Sequence, residues 1–493
     1  MNPKNTASQN DFLSALTRYE TLLAPARFEA LKACALQPAP SSVRLNLLKC
    51  PEPEQFIQHL AASYGWQLKA LPFSKYAWQL LNAQTSPGKT MEHQLGYYYI
   101  QDAASILPVS LFDQVQKPRL TLDMAASPGG KTTQLVDLQA DQDLVIANDS
   151  SPSRLKALRS VMDIWGSVNC ALTNFPGEKW GLWFPETFDR VLLDAPCSME
   201  SLRDSATHPH RPISEAERLR LAERQLALLI SGLAATSIGG ELVYSTCSLA
   251  PEEDEFVLDD LLKRYPNAFE IEQTRTHEYG TAGLLHFEKK HLDPAVEGSL
   301  RVWPDSFGTN GFFAAKLIKK ASISFASETA PCRPFESTRL EPITALKKEQ
   351  LAENIHNDYG FSLEDALEKH HLSVFERDAQ FIFLPAAWLQ TFLSLPYYAL
   401  GMPLAKLSAD KPEVLPDFIL RFGDAFTKGF LTLNDAQMQA WLQGLELRNL
   451  HYPAGLEGKI IAIRSASNLN LGAGKANPGR LRNLLPHRHL QRW

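Results

Sequence analysis

Two cysteines stand 50 residues apart, each closing an apolar run within a short polar motif. The first run is Leu192-Leu193-Asp194-Ala195-Pro196-Cys197-Ser198, and the second is Leu242-Val243-Tyr244-Ser245-Thr246-Cys247-Ser248. An apolar run that ends in polar residues reads as a buried strand opening on a crevice, where open α/β sheets bind ligands. A carboxylate and two thiols at such ends suit chemistry on a pyrimidine ring. Carbon 5 of cytosine is a poor nucleophile. A thiolate adding to carbon 6 turns the ring into an enamine, and carbon 5 can then attack a methyl sulfonium. A carboxyl engaging ring nitrogen 3 and the exocyclic amine draws off electrons and separates cytosine from uracil. Loss of the proton on carbon 5 then expels the thiolate. Splitting one hard step in this way is covalent catalysis. Asp194, Cys197 and Cys247 are the candidate catalytic residues. Inert core thiols are the bland alternative, but Asp-Ala-Pro and Ser-Thr are unusual company for them at strand ends.

Upstream lies Asp123-Met124-Ala125-Ala126-Ser127-Pro128-Gly129-Gly130-Lys131-Thr132, a Gly-rich turn between an apolar strand and a helix. Gly129 and Gly130 let a ligand approach the backbone without a Cβ in the way. The helix that follows offers free N–H groups and a positive dipole end. The spacing is neither that of a P-loop nor that of the dinucleotide fingerprint. About 20 residues on, Ala147-Asn148-Asp149 closes the next strand with an acid placed to accept two ribose hydroxyls. Turn and acid together point to S-adenosylmethionine. Lys131 either holds an anion or simply starts the helix.

Elements must bring these segments together. Strands read over 119–125, 144–149, 168–174, 188–195, 240–247 and 311–319 alternate with helices near Leu135, over 155–164, over 214–236 and over 252–265. Such alternation predicts an α/β fold with a mainly parallel sheet and right-handed crossovers. Residues 1–115 mix helices with a strand over 42–48, and form an α+β N-terminal domain. The catalytic domain is expected over 116–320. Residues 321–345, rich in Ser, Thr, Pro and charge, read as a linker. Residues 346–493 show short alternating strands and Gly-rich turns, a small β-rich C-terminal region.

At 493 residues the chain is too long for one core. Its six cysteines form no CxxC pair, so neither a disulfide framework nor a metal site is expected. The first residues lack a secretory apolar core, and no apolar run is long enough to span a membrane. A cytoplasmic protein with no membrane partner is expected. The formal charge is −6, against a nonspecific nucleic-acid coat. Beyond Glu457, however, Lys459, Arg464, Lys475, Arg480, Arg482, Arg488 and Arg492 occur with no acid, which reads as a phosphate-contacting surface. Arg203, His208, His210 and Arg211 suggest RNA contact beside the active site or a solvated loop. Tyr97, Tyr98 and Tyr99 could stack on bases but fit a core stripe better, and Trp441 reads as C-terminal core.

These motifs resemble those of the Nol/Nop/Sun RNA cytosine-carbon-5 methyltransferases. Asp123–Thr132 resembles the family's D-x-x-A-A-P-G-G-K-T, Asp194–Ser198 its D-A-P-C-S and Thr246-Cys247-Ser248 its T-C-S. Val43-Arg44-Leu45-Asn46, Tyr99-Ile100-Gln101-Asp102, and Arg301-Val302-Trp303-Pro304 with Gly311-Phe312-Phe313 resemble further family elements. From residues alone the attacking thiol stays open, since Pro-Cys is the nucleophile motif of DNA cytosine methyltransferases. The resemblance implies Cys247 as nucleophile, Cys197 as the thiol assisting release, and Asp194 at the flipped base and near the cofactor. It implies S-adenosylmethionine held by Ala125, Ala126, Ser127, Pro128, Gly129, Gly130, Lys131 and Asp149 in a Rossmann-like domain. Length and tail look like the bacterial RsmF type. That implies a PUA-like RNA-binding C-terminal region, an RNA-binding N-terminal domain and methylation of small-subunit ribosomal RNA, free or in the assembled subunit, by a monomer. A transfer-RNA enzyme of the same mechanism and a non-catalytic assembly factor are the alternatives. Three departures stand out: Ser127 for Ala, Met199 where Gly is usual, and Pro176 where an acid usually lies near the adenine.

Overall fold

The computed structural model describes residues 16–114, 119–200, 213–273, 276–324, 326–408, 411–453 and 455–486. Its largest sheet has ten strands. At the centre run parallel strands in the spatial order Thr236–Thr246, Phe188–Asp194, Thr121–Asp123, Val145–Asn148 and Cys170–Thr173. Helices Gly130–Leu138, Pro152–Trp165 and Glu215–Ala235 connect them. Covered on both faces, such strands are apolar throughout, and Val191, Leu192 and Leu193 are all fully buried. The helix Glu215–Ala235 starts where the Ser214 hydroxyl accepts the Glu217 amide. Its Leu226, Leu229 and Leu233 pack with Leu122, Val191 and Leu242, each buried leucine contributing roughly 1.5–3 kcal/mol relative to exposure.

The strand order reverses between Thr121–Asp123 and Phe188–Asp194, so the crevice outside their carboxyl ends is the expected ligand site. Asp123 and Asp194 are the last residues of those two strands. Antiparallel strands widen the sheet. Phe312–Lys319 pairs with Thr236–Thr246, and Leu300–Val302 lies outside it. One boundary differs from the sequence reading. The strand expected from Gly240 begins at Thr236, which pairs with Phe188. The added residues include Gly239 at φ 79°, next to the register shift between Phe188 and Arg190.

The N-terminal sheet has the order Trp66–Leu71, Ser74–Ala83, Ser42–Leu45, Tyr98–Gln101. Arg44 docks it on the catalytic module. Its guanidinium bonds Asp137 Oδ2 at 2.5 Å, Thr133 Oγ1 at 2.6 Å and the Gly130 carbonyl at 3.1 Å, and lies over the Trp165 ring. Asn46 donates to the carbonyls of Gly96 and Trp165. Tyr97 and Tyr98 are buried core.

The C-terminal region holds two five-stranded sheets, one built around Gln380–Pro385 and one around Asn470–Asn477. Helix Pro416–Phe422 packs against both, and Trp441 is fully buried. The strand Ala399–Leu400 leaves this region to pair with Leu172 and Ala171 at the edge of the catalytic sheet. The segment read as a linker runs along the catalytic module: the Glu328 amide donates to the Leu182 carbonyl, and its carboxylate meets Lys179. Among the described residues of the acid-free tail most cations have partners inside the protein. Lys459 pairs with Asp358, Lys475 with Glu413 and Arg480 with Glu446. Arg464 is buried and donates to the Gly423 and Phe426 carbonyls. Acids 34 to 101 residues away supply the balance that the tail itself lacks. Arg482 is exposed. Arg488 and Arg492, like Arg203, His208, His210 and Arg211, lie outside the described residues. Among the described residues no helix is long and apolar enough to cross a membrane.

Candidate active site

Cys197 Sγ and Cys247 Sγ are 3.1 Å apart, although 50 residues separate them in the chain. The parallel pairing of Asp194 with Ser245 places both motifs at one end of adjacent strands. All six cysteines are free thiols. The contact with Cys247, then burial, then the negative charge of Glu253 push the Cys197 thiol well above its ordinary value. Cys197 is thus held as a neutral thiol at physiological pH.

Asp194 sits beside this pair with both oxygens engaged. Oδ2 accepts from Lys131 Nζ at 2.8 Å, and Oδ1 accepts from Ser245 Oγ at 2.8 Å. About a third of its side chain stays exposed to the crevice. Burial works against the Lys131 ammonium, but Asp194 and then Cys247 and Asp123 hold it above its ordinary value. It also lies over the Phe312 ring, 5.5 Å from the centroid. Lys131 is therefore neither a helix starter alone nor a free anion holder. It ties the cofactor turn to the catalytic acid.

A cleft of about 320 Å³ opens against this group. Its lining includes Ala125, Ala126, Ser127, Pro128, Gly130, Lys131 and Asp194 from the expected set, with Tyr99, Gln101, Asp102 and Asp123 added. Gly129 adopts φ 114°, a conformation that favours glycine, and shapes the turn from behind. A Cβ on Gly130 would come within 3.0 Å of the Tyr99 ring and 3.1 Å of Gln101 Oε1. Asp149 is not part of the lining. Its carboxylate accepts the Ser127 amide at 3.2 Å and the Ser151 amide at 2.9 Å, bracing the turn. Asn174, where the adenine acid is missing, donates to the Asp149 carbonyl at 2.7 Å, and Pro176 is exposed.

Asp123 opens the Gly-rich motif and is a site residue that the sequence reading does not include. One of its oxygens accepts from Thr132 Oγ1 at 2.7 Å. Its carboxyl is pushed up to about 7, chiefly by burial, with neighbouring Asp194 adding to the effect. Its other oxygen, both amide atoms of Gln101 and the Ser127 hydroxyl are buried without a hydrogen-bond partner. Leaving such a group unpaired costs about 1–3 kcal/mol, so a polar ligand is the natural complement of this wall. S-adenosylmethionine fits it: amine, carboxylate and ribose hydroxyls can pair with these atoms, and its cation suits a wall of carboxylates. Gln101 ends the aromatic strand Tyr98–Gln101 and carries no sequence signal beyond the Tyr99–Asp102 motif. Glu253, which accepts from both cysteine loops, is one of several acids at the start of a helix and carries no local sequence signal.

Residues 12–103 match the family model described as the N-terminal domain of 16S rRNA methyltransferase RsmF, and residues 111–318 match that described as 16S rRNA methyltransferase RsmB/F. Ribosomal RNA small subunit methyltransferase F of Aeromonas salmonicida is 32% identical over 464 residues, covering 92% of this chain and 91% of that one. The protein of the same name from Pectobacterium atrosepticum is 32% identical over 460 residues, covering 92% and 90%. Among solved structures, a methyltransferase homolog protein from Pyrococcus horikoshii superposes with a TM-score of 0.55 at 30% identity, covering 65% of this chain and all of that one. Motif, cleft and similarity over nearly the whole length agree: the chain belongs to the RsmF family of 16S ribosomal RNA methyltransferases, which are S-adenosylmethionine-dependent enzymes.

Proposed function

We propose that this protein methylates carbon 5 of cytosine in small-subunit (16S) ribosomal RNA through a covalent cysteine adduct at carbon 6. The observation that carries the reading is the facing pair of free thiols, 3.1 Å apart, beside a carboxylate fixed by Lys131 and Ser245. Bound S-adenosylmethionine supplies an electrophilic methyl group. The residues of the chain do the rest. The target cytosine must leave its stack to reach the crevice. Asp194, partly exposed and aimed by two hydrogen bonds, accepts from the exocyclic amine and shares a proton with ring nitrogen 3. Cys247 adds to carbon 6. Lys131 stabilises negative charge as it moves between sulfur, ring and Asp194, an electrostatic contribution of preorganised groups. After methyl transfer the carbon 5 proton passes to solvent in the crevice, its bonding pair restores the carbon 5–carbon 6 double bond, and the carbon 6–sulfur pair returns to Cys247. Cys197, a neutral thiol against that sulfur, assists the release.

The cofactor is held by the turn Ala125–Lys131, by Gln101 and Asp123, and by Asp149. Asp149 keeps acceptor capacity beyond its two amide donors, so it can still take a ribose hydroxyl. The chain works as a monomer on ribosomal RNA, free or within the assembled subunit, with the N-terminal module and the PUA-like C-terminal region as RNA-binding parts. Bisulfite sequencing of ribosomal and transfer RNA, from cells with and without the active chain, tests this. At least one small-subunit cytosine should lose protection when the chain is absent. Unchanged ribosomal RNA with a transfer-RNA cytosine newly unprotected would move the substrate to transfer RNA.

A further inference from the structure

Each cysteine is followed by a serine, and both serines turn inward to one carboxylate. Glu253 Oε2 accepts the Ser198 amide at 2.8 Å. Glu253 Oε1 accepts the Ser198 hydroxyl and, at 3.0 Å, the Ser248 hydroxyl. The two hydroxyls are 3.3 Å apart. Gln225, from the long crossover helix, donates to Glu253 Oε2 at 3.0 Å and to the Pro196 carbonyl at 3.0 Å. Glu253 itself is fully buried. Its backbone carbonyl accepts the Tyr244 hydroxyl at 2.5 Å, which fastens it to the strand that carries Cys247.

A buried carboxylate is expensive. The donors that compensate it here are an amide, a side-chain amide and two hydroxyls, all neutral. Well-packed apolar groups would often serve stability as well or better. What the carboxylate provides is direction: two oxygens with about four acceptor sites reach both loops next to the cysteines, whereas the backbone bond between the loops, from the Leu249 amide to the Glu200 carbonyl, lies further along. We propose that Glu253 is a positioning residue that clamps the Cys197 loop to the Cys247 loop and so sets the distance between the two thiols. The proposal rests on the thiol-addition reading only for its effect on catalysis; the clamp itself is a matter of geometry. Glu253 is fully buried and acts through Ser198 and Ser248.

The test uses the full chain and three variants. Glu253→Ala removes every acceptor. Glu253→Gln keeps one acceptor and gains an amide donor, which a serine hydroxyl can accept, so both loops stay tethered. Ser198→Ala with Ser248→Ala cuts the same bonds from the other side, and covers the case in which Glu253→Ala fails to fold. Diamide takes up two thiol hydrogens and leaves a Cys197–Cys247 disulfide, read by peptide mass mapping in the absence of RNA. The parent chain and Glu253→Gln should cross-link at similar rates. Glu253→Ala and the double serine variant should be slower by about tenfold or more. Their kcat for methylation should fall at least as far, with KM for RNA within about twofold and Glu253→Gln recovering most of the loss. Cross-linking of the folded Glu253→Ala or double serine variant at the parent rate overturns the clamp. That outcome leaves the covalent mechanism standing, because the cross-linking arm involves no substrate. Conversely, failure to trap any RNA adduct overturns the mechanism and leaves the clamp standing.

Discussion

The two walls of the crevice are built on opposite plans. On the thiol wall the groups around the cysteines have partners inside the protein, with Gln225 Oε1 left buried and unpaired. Ser198, Ser248, Gln225 and Glu253 bond one another, and Asp194 is fixed between Lys131 and Ser245. On the cofactor wall several do not: Gln101, one oxygen of Asp123 and the Ser127 hydroxyl are buried and unpaired. The difference teaches which half of the reaction the fold prepares alone. The thiol wall is finished before any ligand arrives, as preorganised catalysis requires. The cofactor wall is completed by what it binds, and its unpaired atoms are a reservoir of binding energy.

Breaking the finished wall should have the largest effect. Asp194→Asn keeps the shape and one acceptor but removes the charge that holds Lys131 and the hydrogen-bond character that reads cytosine. Methylation in a steady-state assay should slow by about 10²–10³-fold, the range for losing one preorganised group, with RNA affinity little changed. A loss confined to KM would place Asp194 in binding rather than chemistry.

The cofactor wall should show its plan as a pH dependence. Asp123 has a carboxyl pushed up to about 7. A raised carboxyl adds stability to the fold in its protonated form, present below the ordinary carboxylate range and lost as pH rises through about 7. A cationic ligand works the other way and favours the ionised form. S-adenosylmethionine affinity measured by calorimetry should therefore rise by up to about tenfold from pH 6 to pH 8. Asp123→Asn should flatten that profile and make the free protein relatively more stable at pH 8. A slope that survives the substitution would assign it to another group.

The smallest effect concerns a strained residue beside the thiol wall. Met199 adopts φ 60°, a conformation that favours glycine, and its side chain is half exposed. An L side chain there costs about 1–2 kcal/mol. Met199→Gly should raise stability by roughly 1 kcal/mol or less, part of the gain being offset by the backbone freedom of glycine. Chemical denaturation measures it, and methylation should change by less than about twofold. A clear loss of activity would give the Met199 side chain a role at the crevice.

Much of the site was legible because it is local. A Gly-rich turn between a strand and a helix, and two cysteines at strand ends, are short patterns whose geometry follows from the sheet they terminate. What escaped was long-range. Glu253 is 55 residues from Ser198, and nothing near either residue announces the bond. The tail beyond Glu457 looked cationic because Asp358, Glu413 and Glu446 lie elsewhere in sequence. The strand's start at Thr236 rather than Gly240 shows only in its pairing with Phe188. The same lesson applies to removing residues after 345. That truncation takes away the Ala399–Leu400 strand from the catalytic sheet edge, so it tests more than RNA affinity.

The central claim is a division of labour between two thiols 3.1 Å apart. Trapping the protein–RNA adduct tests it most directly. Each cysteine variant is incubated with S-adenosylmethionine and small-subunit ribosomal RNA, then run on a denaturing gel. Cys197→Ala should accumulate a stable adduct, since addition proceeds and release stalls. Cys247→Ala and the double variant should show neither adduct nor methylation. An adduct with Cys247→Ala and none with Cys197→Ala would reverse the assignment and make the Pro-Cys thiol the attacker.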